Sequence, residues 1–106
     1  MDFRLKFESR EKLYVYPIGE LDINSTDIFK TEIINKYKED PKNIVIVGDE
    51  FEYVDSTGLG AMIYLLKEIK DKNNTISLEN LKPNIEKLFK ITKLDEVFEI
   101  RSGSDD

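Results

Sequence analysis

Near the amino terminus, apolar and charged residues take turns: Phe3, Leu5 and Phe7 alternate with Arg4, Lys6 and Glu8. A period of two puts one set on a buried face and the other in water, which predicts a strand at the edge of a sheet. The polar stretch Ser9 to Lys12 then leads into Leu13-Tyr14-Val15-Tyr16-Pro17-Ile18, a second β-rich run. So short a connection predicts an antiparallel hairpin. Pro17 has no N–H to give to a ladder and therefore predicts the end of that strand. Gly19-Glu20-Leu21-Asp22 breaks the pattern, and Asn24 or Ser25 is suited to cap a helix that carries Phe29, Ile33 and Tyr37 at helical spacing and stops before Pro41.

Ile44-Val45-Ile46-Val47 is an unbroken β-branched run, the composition of a central strand covered on both faces and paired in parallel. A loop is expected from Gly48 to Val54. Leu59, Met62, Ile63, Leu66 and Ile69 then share one face of a second helix that begins near Asp55-Ser56-Thr57-Gly58-Leu59-Gly60 and ends by Asn73-Asn74. Ile76 and Leu78 give a short strand, Pro83 suits the first position of a helix bearing Ile85, Leu88 and Phe89, and Val97 to Ile100 form a last strand. Strands and helices alternating after an N-terminal hairpin predict an α/β layer structure with a mixed, mostly parallel sheet of about five strands.

Composition changes this picture mainly through two zeros. Among 106 residues there is neither histidine nor cysteine. That removes Ser-His-Asp and Cys-His catalysis, zinc sites of the usual nitrogen and sulfur kind, disulfides and haem ligation. Hydrophobic residues make up 40% and charged residues 36%, enough apolar mass for one core and too little for a bilayer. The net charge of -6 opposes the attraction that nucleic acid or an anionic membrane surface needs, so a protein partner or a small ligand is expected, with no direct nucleic acid and no membrane. MDFRLKFESRE has no apolar stretch of the secretory kind, and a cytoplasmic address is expected.

The candidate chemistry lies in Asp55 to Gly60. At a helix start the first N–H groups lack intrahelical partners and the macrodipole is positive, so an anion is favoured there. A phosphate on Ser56 would meet free backbone donors, and Gly58 and Gly60 carry no side chain to obstruct it. The plainer alternative is that Asp55, Ser56 or Thr57 only caps the helix and the glycines serve packing. Other phosphate motifs fail: Gly58-Leu59-Gly60 runs into Ala61-Met62-Ile63 without a third glycine, and no GK[ST] follows. Asp49 follows a strand as a receiver aspartate does, but the turn after the first strand offers only Arg10-Glu11-Lys12 where acidic metal ligands are needed.

Three segments in register resemble the STAS-domain anti-sigma factor antagonists of bacterial partner-switching systems. They are Gly19-Glu20-Leu21-Asp22, Asp55-Ser56-Thr57-Gly58-Leu59-Gly60 and Leu88-Phe89-Lys90-Ile91-Thr92-Lys93-Leu94. The resemblance implies a single STAS domain over 1–100; the short polar stretch 101–106 is expected to fray by its composition. It implies a switch and not an enzyme, without cofactor or metal. The unmodified protein binds an anti-sigma factor that is itself a serine kinase, and so frees the sigma factor. Phosphorylation at the position matching Ser56 then releases the antagonist, and a metal-dependent serine/threonine phosphatase reverses the mark. Asp55, Thr57, Gly58, Gly60 and Asp22 would support the phosphosite. Glu20, Asp22, Ser56, Thr57, Leu59 and Tyr64 would meet the partner. The rival reading is a STAS domain serving as a non-switching scaffold or ligand-sensing module, since one fold hosts both uses.

Overall fold

The computed structural model describes residues 3–101. Its elements run β1 Arg4–Ser9, β2 Leu13–Leu21, α1 Thr26–Glu39, β3 Ile44–Val47, β4 Phe51–Val54, α2 Ser56–Lys70, β5 Ile76–Glu79, α3 Pro83–Ile91, a 3-10 turn Leu94–Glu96 and β6 Glu99–Arg101. The expected α/β architecture is present, with six strands in the sheet. β1 pairs antiparallel with β2, and the other pairings are parallel, in the order β1-β2-β3-β5-β6 with β4 also on β2.

The sixth strand is β4, which occupies part of the expected loop from Gly48 to Val54. A tight turn makes room for it: Phe51 N–H donates to Gly48 O at 3.2 Å, and Gly48 N–H donates to Glu79 O at 2.8 Å. Gly48 is needed here, because a Cβ on it would lie 2.9 Å from the Leu81 Cα.

β2 does not stop at Pro17 but continues to Leu21. Leu13 N–H donates to Asn43 O and Gly19 N–H to Glu50 O, so the odd-numbered N–H positions face β3 and β4. Pairing to β3 is recorded up to Val15 and pairing to β4 starts at Gly19. Pro17 thus stands in the fork between the two partners, where a missing N–H leaves no ladder bond unmade. Gly19 adopts φ 107, which a residue with a Cβ resists, at the point where the β4 register shifts.

Odd positions of β2 are buried and even ones partly open. Leu13, Val15 and Leu21 join Ile44, Ile46, Ile76 and Leu78 beneath Phe29 and Ile33 of α1, Met62, Leu65 and Ile69 of α2, and Ile85 and Phe89 of α3. Fully burying one such side chain stabilises by roughly 1.5–3 kcal/mol, so this shared core is the main hold on the helices. β3 is buried at all four positions, as its composition requires. Val45 faces away from the helices between its register partners Tyr14 and Ser77.

The C-terminal end differs slightly from expectation. Val97 is exposed, Phe98 is buried edge-on against Phe89 with centroids 5.6 Å apart, and the strand is Glu99–Arg101. Arg101 therefore belongs to the sheet and not to a tail; the remainder of the expected tail, 102–106, lies outside the described residues.

Candidate functional site

Asp55, Ser56 and Thr57 sit where β4 hands over to α2. Asp55 is the N-cap: its backbone is extended and its Oδ1 accepts the Gly58 N–H at 2.9 Å. Ser56 and Thr57 are the first two helical residues, and both are exposed. The Leu59 N–H donates to Asp55 O at 2.9 Å, which closes the first turn. The N–H groups of Ser56 and Thr57 come too early to find acceptors inside the helix. They belong to the positive end of the helix, which favours an anion.

Asp22 arrives from β2. Leu21 and Val54 are register partners, so Asp22 and Asp55 each follow the end of one of two parallel strands. Asp55 N–H donates to Leu21 O at 3.2 Å and ties the two loops together. Gly58 rests on the same carbonyl: a Cβ there would lie 2.6 Å from Leu21 O and 2.7 Å from Val54 Cγ2. Its bareness serves the joint between α2 and β2.

The Asp22 loop has its own internal frame. Asp22 Oδ1 accepts the Asn24 N–H at 2.9 Å, and Asp22 O accepts the N–H groups of Ser25 and Thr26 at 3.0 and 3.1 Å. Ser25 opens α1 but does not cap it with its side chain. Its buried hydroxyl instead donates to Glu20 O at 2.8 Å and accepts from Asp22 N–H at 3.0 Å. Sequence reasoning gave Ser25 only a capping role; a short polar residue before a helix fits both uses equally, and the loop-bracing one has no signature of its own.

The other expected site residues separate into two groups. Tyr64 is 44% exposed and packs beside α1, with the Lys30 ammonium 5.1 Å from its ring centroid. Glu20 is exposed on β2. Leu59 does not lie on an open surface: it is 7% exposed and belongs to the core with Met62 and Leu66, because helical spacing turns it inward. Gly60 is exposed, and a Cβ there would meet nothing within 4 Å.

Two further carboxylates near in sequence lie away from the site. Asp49 and Glu50 precede β4 whereas Ser56 follows it, and four strand residues span about 13 Å. At physiological salt the Debye length is about 8 Å, so charges at that separation are largely screened from Ser56. Among the described residues no cluster of acidic side chains is arranged to hold a metal ion, and no helix is long and apolar enough to cross a membrane.

Comparison with known proteins agrees with this geometry. The STAS domain family pattern matches residues 5–106. The anti-sigma-B factor antagonist of Bacillus subtilis (strain 168) is 28% identical over 98 residues, covering 92% of this chain and 89% of that protein. The structure of the anti-sigma factor antagonist SpoIIAA in its unphosphorylated form superposes with a TM-score of 0.79 at 20% identity, covering 98% of this chain and 90% of the other. The Bacillus cell fate determinant SpoIIAA in its phosphorylated form gives 0.72 at 20% identity, covering 98% and 93%. With the family pattern spanning nearly its whole length and the fold shared from end to end, this chain belongs to the STAS domain family, among relatives named as anti-sigma factor antagonists.

Proposed function

We propose that this protein is an anti-sigma factor antagonist: unmodified, it binds an anti-sigma factor with serine kinase activity and so releases a sigma factor. Phosphorylation of Ser56 ends that binding, and a metal-dependent serine/threonine phosphatase restores it. The observation that carries the reading is the exposed Ser56 at the first position of α2, where the first N–H groups of a helix have no intrahelical acceptors. Membership of a family whose named relatives are antagonists supports the partner class.

The physical asymmetry behind such a switch is simple. Phosphorylation adds roughly 1.5 to 2 negative charges at neutral pH. In the free protein the phosphate faces water and a positive helix end, so the fold tolerates it. In a complex the same group must lose water against the partner, and each 1.4 kcal/mol of penalty lowers affinity about tenfold. No change of fold is needed. Incubation with the kinase of its own genome and ATP should add one phosphate, which Ser56→Ala abolishes and Thr57→Ala does not. Labelling that persists in Ser56→Ala overturns the site, and equal affinity of modified and bare protein in calorimetry would select the non-switching scaffold instead.

A further inference from the structure

β1 lies at one end of the strand order and, among the described residues, pairs only with β2. Its bonding pattern fixes what its other side offers. On β2 the Leu13 and Gly19 N–H groups bond away from β1, so odd positions of β2 exchange no ladder bonds with it. Their register partners on β1 include Leu5, opposite Pro17, and Phe7, opposite Val15. In an antiparallel pair such positions turn their N–H and C=O groups outward. Leu5 and Phe7 therefore line an open edge, each with a donor and an acceptor. Phe3, Leu5 and Phe7 are half-buried against the core, whereas the side chains of Arg4, Lys6 and Glu8 are exposed on the opposite face. Edges are commonly guarded by a proline or a bulge. β1 contains no proline, and its register to β2 runs unbroken from Arg4 to Ser9.

We infer that β1 is a self-association edge, at which two copies of this chain join β1 to β1, antiparallel, about a two-fold axis at Lys6. Hydrogen-bonded pairs must come from the outward-facing odd positions, which leaves few registers. Centring on Leu5 opposes Arg4 to Lys6, and centring on Phe7 gains Lys6 against Glu8 but opposes Arg4 to Arg10. Centring on Lys6 sets Leu5 against Phe7 of the second copy and Arg4 against its Glu8, each twice over. The Leu5–Phe7 pairs exchange N–H···O=C bonds, and the Arg4–Glu8 pairs place opposite charges where the strands come closest. The charges are free to meet. Arg4 has no ion-pair partner among the described residues. Both bonds that Glu8 accepts, from Tyr16 and Arg10, fall on Oε1, which leaves Oε2 for the incoming guanidinium. The two Lys6 side chains meet at the axis, but each carries its charge into water on a flexible stem. β3 and β4 lie on the other side of β2, so the seam stays clear of the strand that leads to Ser56.

Sedimentation velocity of the parent, over a concentration series up to millimolar, should show monomer converting to dimer. Arg4→Glu turns both attractions into repulsions and should weaken that dimer about tenfold. The chain has no cysteine, so Lys6→Cys introduces a single thiol, at a pair close enough for disulfide geometry. With oxidised glutathione, Lys6→Cys should cross-link well ahead of Arg4→Cys and Glu8→Cys, whose counterparts in the second copy lie opposite Glu8 and Arg4 instead. A parent that stays monomeric at millimolar concentration overturns the edge, as does a dimer that Arg4→Glu leaves intact. Equal cross-linking of the three cysteine variants overturns it too. These measurements involve no kinase, so the function proposed above stands or falls separately.

Discussion

Gly58 lies against the backbone oxygen of Leu21, so closely that a Cβ would sit 2.6 Å away. That oxygen also accepts the Asp55 N–H, which makes it the point where α2, β4 and the end of β2 are joined. Gly58→Ala must push α2 away from this point, since backbone cannot yield as a flexible side chain does. We expect a loss of about 1–3 kcal/mol, the usual range for overpacking, read as a lower urea midpoint with an unchanged slope. A midpoint equal to that of the parent would show that the joint is looser than the geometry requires.

Asp55 tests the cap. Asp55→Ala deletes the acceptor of the Gly58 N–H and should destabilise by about 1 kcal/mol, whereas Asp55→Asn keeps an oxygen in place and should lose much less. Thermal melts of the two variants decide the matter. If asparagine proves as harmful as alanine, the negative charge matters more than the hydrogen bond.

Ser25 should be costlier to alter than a surface serine. Its buried hydroxyl serves Glu20 O and Asp22 N–H together, and Ser25→Ala strands both. A loss of about 1–3 kcal/mol is expected for such groups. Amide exchange should quicken at Asp22, whose N–H loses its acceptor, while β3 in the centre of the sheet stays protected. Uniformly faster exchange across the sheet would contradict a loop-bracing role.

Acid should loosen the β1–β2 hairpin. Glu8 accepts the Tyr16 hydroxyl at 2.9 Å and an Arg10 guanidinium N–H at 2.7 Å. These bonds, that from Tyr16 foremost and then that from Arg10, hold its carboxyl below the usual value. A lowered folded value means stability that is present above the unfolded value, near pH 4.3, and is lost as pH falls through the folded one. Denaturation followed from pH 7 downwards should therefore show the parent losing its advantage over Glu8→Gln in that window. The group is exposed, so the difference should shrink with added salt. A gap that stays constant with pH would mean that Glu8 acts only by packing.

Much of this architecture was legible because the relevant periods are clean. The alternation over Phe3 to Glu8 and the helical spacing of Phe29, Ile33 and Tyr37 each describe one covered face, and the unbroken Ile44 to Val47 run describes a strand covered on both. β4 escaped because Phe51-Glu52-Tyr53-Val54 is buried only at its two ends, which is neither a period of two nor a continuous run. Pro17 does not end β2 because it stands between the strand's two parallel partners, where its missing N–H has no ladder bond to make. At the site, the cap and the exposed serine follow from residue type and helix geometry. The burial of Leu59, the bracing by Ser25 and the open space over Gly60 depend on which side of α2 and of its neighbouring loop faces the sheet.

The change of partner along β2 gives the molecule an unequal division of labour. Its first residues are sewn into the broad sheet, while its last three, Gly19 to Leu21, lie past the β1 register and pair with the small strand from which the serine helix springs. Tension applied at that tip has a short seam to work on and a wide fabric behind it that need not give. A covalent mark or a docking neighbour can thus tug on one corner of this protein while the greater part keeps its shape.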